Sequence, residues 1–73
     1  KRYDLRHLKD GFYGRMEEIM KSETVNETII FLFEIGDFTS VQKSADLMKE
    51  GGYEMLNSLK FNEVDWTIVV KKI

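Results

Sequence analysis

The spacing of apolar residues changes along the sequence, and each change marks an element. Thr28–Glu34 reads Thr-Ile-Ile-Phe-Leu-Phe-Glu, β-branched and aromatic on both faces, which is strand composition. A strand apolar on both sides is central in a sheet, covered above and below or lying at an interface. Phe12–Ser22 has the helical period instead. Phe12, Met16, Ile19 and Met20 fall at i, i+4, i+7 and i+8, and Glu17 and Lys21 form an i, i+4 pair on the exposed side. Asp10 is placed to cap this helix. Gly11 and Gly14 weaken its first turn, each by about 1 kcal/mol relative to Ala in a helix interior, a weakness that suits a backbone something must approach closely. A second helix is expected over residues 41–50, with Val41, Ala45 and Met48 on one face, Thr39 or Ser40 as cap and Gly51-Gly52 as its stop. Gly36-Asp37 breaks the strand before it. Residues 2–5 read as a short strand. Residues 54–61 and Asp65–Lys71 read as two more, joined through the hairpin loop Asn62-Glu63-Val64.

The resulting order, βαβαββ, argues an α/β fold: an α+β two-layer sandwich with two helices on one face of a four-stranded mixed sheet. At 73 residues the protein makes one domain, near the lower size limit for a self-sufficient core. The other sheet face keeps apolar side chains from residues 29–33 and 65–70. Such a face suggests a partner or a homodimer through the sheet; scattered surface hydrophobes on a small domain are an equally good account.

Composition narrows the function. A net charge of −2 leaves no electrostatic footprint for nucleic acid. Lys1, Arg2, Lys71 and Lys72 cluster near the two termini and read as solvation of sheet ends. The longest apolar runs, residues 29–33 and 68–70, are far short of the ~20 residues of a membrane helix, so no direct membrane insertion is expected. The start, Lys-Arg-Tyr-Asp, has no apolar stretch of signal-peptide type, and the sequence reads as cytoplasmic. There is no cysteine and a single histidine, His7. That removes thiolate nucleophiles, disulfides, cysteine-held iron–sulfur clusters and cysteine-ligated zinc. His7 near Asp4 and Asp10 is not a zinc set, and no metal is expected. Glycine-rich phosphate loops and Ser–His–Asp signatures are missing. No catalytic residue is assigned, and Met16, Met20, Met48 and Met55 read as core filling.

Two resemblances add to this. Asp4-Leu5-Arg6-His7-Leu8-Lys9 followed by Asp10-Gly11-Phe12-Tyr13 resembles the opening of the TusA-type sulfur-carrier family, an Asp-Leu-Arg-Gly-Leu stretch followed by Cys-Pro-x-Pro. Asn26-Glu27-Thr28-Ile29-Ile30 and Gly52-Tyr53-Glu54-Met55-Leu56 are similar to that family's Gly-Glu-Thr and Gly-His-Glu-Leu strand starts. The family's cysteine falls on Asp10, and a carboxylate cannot carry a persulfide. Residues 27–72, above all Phe33-Glu34-Ile35-Gly36-Asp37-Phe38 and residues 56–67, resemble small bacterial proteins found with respiratory NADH-quinone oxidoreductase (complex I). Those look like replacements for a subunit of its NADH-input module. The ordinary subunit holds a two-iron cluster through cysteines, which this sequence lacks. The resemblance implies an accessory, electron-transfer-associated role peripheral to the inner membrane. Its implied partners are complex I subunits or a flavoprotein electron donor, with FMN or FAD as the implied cofactor. The alternative is a TusA-like domain repurposed for protein interaction.

The TusA-like fold implies strand order 1-2-4-3, with the last strand antiparallel to the rest. The carboxyl ends of strands 1, 2 and 3 then share one edge with both helix starts, where open α/β sheets tend to bind ligands. Arg6 and Lys9 are candidates to meet a phosphate there, Gly11 and Gly14 would admit it, and Tyr13, Phe38 or Trp66 would stack on a flat ring. Against this, Trp66 also reads as a core or hairpin anchor, the glycines as turn formers, and Asp10 as a cap that would occupy the helix-start donors.

Overall fold

A computed structural model describes residues 1–35 and 38–73, apart from the side chains of Lys9, Asp10 and Phe38; Gly36-Asp37 therefore lies outside the described residues. The elements run β1 (Arg2–Asp4), a 3-10 turn (Arg6–Gly11), α1 (Phe12–Ser22), β2 (Thr28–Glu34), α2 (Phe38–Glu50), β3 (Glu54–Lys60) and β4 (Asp65–Lys71). The sheet order is β1-β2-β4-β3. β1 runs parallel to β2, and β4 runs antiparallel to both β2 and β3. Two helices on a four-stranded mixed sheet are the expected α+β two-layer arrangement.

The strand period of two divides β2 between the layers. Ile29, Phe31 and Phe33 join Phe12, Met16, Ile19, Met20, Met48, Ile68 and Val70 in one buried cluster under the helices. The Phe12 and Phe33 rings stack with centroids 4.5 Å apart. Leu32 points away from that cluster, yet is only 2% exposed. Three of the four methionines are fully buried and Met55 is half-buried, so they fill core gaps as their flexible side chains suit.

Two helix starts differ from expectation. Asp10 does not cap α1. The backbone enters through the 3-10 turn, the N-cap is Gly11 in right-handed helical geometry, and no side chain caps it. α2 begins at Phe38, so Thr39 and Ser40 lie inside its first turn. Its buried face also includes Ser44 beside Met48. A serine is tolerated there because its Oγ donates to the Val41 carbonyl at 2.8 Å and so carries its own partner. The end of α2 is as expected. Gly52 takes φ +80°, its N–H donates to the Lys49 carbonyl, and the Tyr53 N–H donates to the Met48 carbonyl, the Schellman arrangement that needs glycine at this place.

The lysines near the termini do more than solvate the sheet. Lys1 Nζ pairs with the buried Glu23 carboxylate at 2.9 Å. Lys72 Nζ donates to the carbonyls of Lys21 and Glu23, placing a cation at the negative end of α1.

Candidate functional site

The topology brings the carboxyl ends of β1, β2 and β3 to one edge with the start of β4 and the start of α1. The candidate residues reach this edge from two sides of the sheet.

Arg6 sits on the helix-free side. Its guanidinium grips Asp4 through Nε and Nη2, with Nη2 2.6 Å from Oδ2, and its Nη1 donates to Asp65 Oδ2 at 3.3 Å. Asp4 and Asp65 lie opposite Leu32 and Glu34 in register. The Arg6 side chain and backbone N–H together hold the Asp4 carboxyl down at about 2, and the two carboxylates push the Arg6 guanidinium further up. Asp65 is buried and also accepts from Asn62 Nδ2 at 2.8 Å. Asn62 Oδ1 in turn accepts from the backbone N–H groups of Val64 and Asp65. This network ties the 3-10 turn to the β3–β4 hairpin. It spends Arg6 on two carboxylates, which leaves little of its charge for a phosphate.

The helix-covered side is aromatic. Trp66 lies opposite Phe33 in register and packs half-buried against the core, with its Nε1–H donated to Ser58 Oγ at 2.9 Å. Phe33 stacks on Phe12, and the Phe12 and Tyr13 ring centroids are 4.0 Å apart. Lys43 Nζ of α2 lies 4.8 Å from the Tyr13 ring centroid, a cation–π contact joining the two helices. Lys43 is absent from the sequence-derived set, since an exposed lysine on an amphipathic helix gives no signal of its own. Gly11 and Gly14 are exposed, and a Cβ at either would meet nothing within 4 Å. α1 has no acidic residue in its first turn, so the objection raised by an Asp10 cap falls away. Lys9 is in the 3-10 turn and Phe38 opens α2, but their side chains lie outside the described residues. Tyr13, Trp66, Gly11 and Gly14 thus share one side of the edge, with Lys43 as its cation, while Arg6 belongs to the other side.

The residues do not suit an iron–sulfur cluster, because the 73 residues include no cysteine. Among the described residues no three His, Asp or Glu side chains gather to hold a metal ion. His7 is exposed. Among the described residues no helix is long and apolar enough to cross a membrane.

A family model for the E subunit of a "putative NADH-ubiquinone oxidoreductase" matches residues 1–72. The solution structure of HP1264 from Helicobacter pylori is similar at 53% sequence identity and a TM-score of 0.67, over 99% of this protein and 96% of that one. No curated protein matches the sequence.

Proposed function

The protein belongs to the NADH-ubiquinone oxidoreductase E-subunit family, and from that membership we propose that it is a non-catalytic accessory subunit of the oxidoreductase that meets a flavin nucleotide, FMN or FAD. The observation that carries the flavin reading is the helix-covered side of the edge. It combines aromatic side chains, a cation and open backbone, the three things a flavin nucleotide asks of a protein surface. Trp66 and Tyr13 would face the isoalloxazine ring. Lys43 would leave the Tyr13 ring for the phosphate, helped by the uncapped start of α1 and by Lys9. The space beside Gly11 and Gly14 admits a ligand to the backbone. A flavin bound here would supply the redox chemistry. The protein's own residues would bind and orient it, since no acid–base pair or nucleophile stands at the edge. Whether the flavin belongs to this protein or to a neighbouring flavoprotein donor, the same side would face it. Such a role places the protein at the cytoplasmic side of the inner membrane, held there by its partners. The sulfur-carrier likeness adds no chemistry, because Asp10 offers a carboxylate where that family has its cysteine.

The single tryptophan makes the test direct. Titration with FMN should give saturable quenching of Trp66 fluorescence, weakened in Lys43→Glu. An unchanged spectrum at millimolar FMN, after correction for absorption by the flavin, removes flavin binding by this protein.

A further inference from the structure

The sheet face without helices carries a groove of about 200 Å³ lined by Arg2, Ile30, Leu59, Phe61 and Thr67. Thr67 lies opposite both Leu32 and Leu59 in register, and Ile30 lies opposite Val69, so the floor is the apolar outer side of β2 and β4. Leu59 and Phe61 form one wall and are 42% and 51% exposed. Leu56 and Val64 stand exposed nearby in sequence. Single exposed apolar residues are ordinary. Here four large ones fall within residues 56–64, which marks a contact surface.

Size and charge say what fits. Pockets for small molecules run from about 300 Å³ upward, so this groove is too small for a nucleotide and suits one large apolar side chain. Its rim is cationic. The Arg2 guanidinium lies 5.9 Å from the Phe61 ring centroid and forms no ion pair with a carboxylate among the described residues. Asp4 and Asp65, on the same face, are already spent on Arg6. A second copy of the protein would bring the same apolar wall and another Arg2, and so lacks the complementary charge.

We propose that this groove docks another subunit of the oxidoreductase, which inserts one large apolar side chain against Leu59 and Phe61 and sets a carboxylate against Arg2. The proposal rests on the accessory-subunit reading above and names the chemistry of the partner. The flavin edge and the docking groove then occupy opposite faces of the sheet, so one domain can hold to the assembly by one face and present the other.

The test uses the purified oxidoreductase stripped of this protein, with wild type, Leu59→Asp, Arg2→Glu and Val25→Asp added back and affinity measured by surface plasmon resonance. Val25 is exposed on the turn before β2, away from the groove. Leu59→Asp and Arg2→Glu should each weaken binding about thirty-fold or more, the size of a hot-spot loss, while Val25→Asp binds as wild type. Nuclear magnetic resonance spectra confirm the fold of each variant, and exposed Arg2 keeps the test alive if Leu59→Asp misfolds. Wild-type affinity in both groove variants overturns the groove but leaves the subunit reading standing. No binding by the wild type overturns both. A homodimer in light scattering that both groove variants abolish gives the face to a second copy and overturns the proposal.

Discussion

Replacing Asp65 with Ala tests the network that shapes the edge. The carboxylate is 5% exposed and accepts from Asn62 Nδ2 and Arg6 Nη1. Hydrogen bonds to a charged group contribute about 1.5–3 kcal/mol each. Arg6 is 43% exposed and keeps its hold on Asp4, so solvent screening reduces its share to little. The Asn62 bond is the larger loss, because it holds the hairpin loop in place. Against it stands a small gain. Glu34 lies directly opposite Asp65 in register, and relief of like charges across strands returns a few tenths of a kcal/mol. The sum is a loss of about 2 kcal/mol, or roughly 8–16 °C in Tm for a domain of this size. Thermal unfolding followed by circular dichroism at pH 7 measures it. Asp65→Asn, which keeps one acceptor, should fall between wild type and Asp65→Ala, and Asp4→Asn should cost less than either. A Tm within 2 °C of wild type for Asp65→Ala, or Asp4→Asn costing more, would refute the assignment of Asp65 as the holding group.

Two further outcomes follow from local geometry. Gly14→Ala should stabilise the protein by up to ~1 kcal/mol, read as a rise in Tm, because the added Cβ meets nothing within 4 Å; a fall would mean that the start of α1 is not the open helical turn described. Asp4 is held at about 2 against an ordinary 3.8. Its stabilising contribution is present above the ordinary value and lost as pH falls through about 2, so wild type should lose stability in urea melts between pH 4 and pH 2, and Asp4→Asn should lose less over that window.

The fold was legible where local chemistry and burial agree. β2 and β4 have the expected bounds, as does α1. β2 is apolar on both faces, and the helical period of Phe12, Met16, Ile19 and Met20 is unbroken. The helix starts were less legible. Thr39 and Ser40 suit a cap and a first turn alike, so residue type cannot separate the two. A 3-10 turn such as Arg6–Gly11 is too short for any apolar period to reveal, and Asp10 therefore looked like a cap. The site was legible as an edge but not as a division into faces. Arg6 and Asp65 stand 59 residues apart, and only the pairing of β4 beside β2 brings them together. Lys43 meets Tyr13 only because two helices lie side by side, which neither helix's sequence declares. The apolar outer face expected from residues 29–33 and 65–70 is present in part. Leu32 there is covered, and Leu59, Phe61 and Arg2 frame the groove.

The most direct measurement of the central claim is made in the cell. A tagged copy at the native locus should bring down the NADH-ubiquinone oxidoreductase subunits in constant proportion, through ion exchange and size exclusion, with this protein at one copy per complex. An intact, active oxidoreductase purified by a tag on another subunit and lacking this protein throughout would contradict the account.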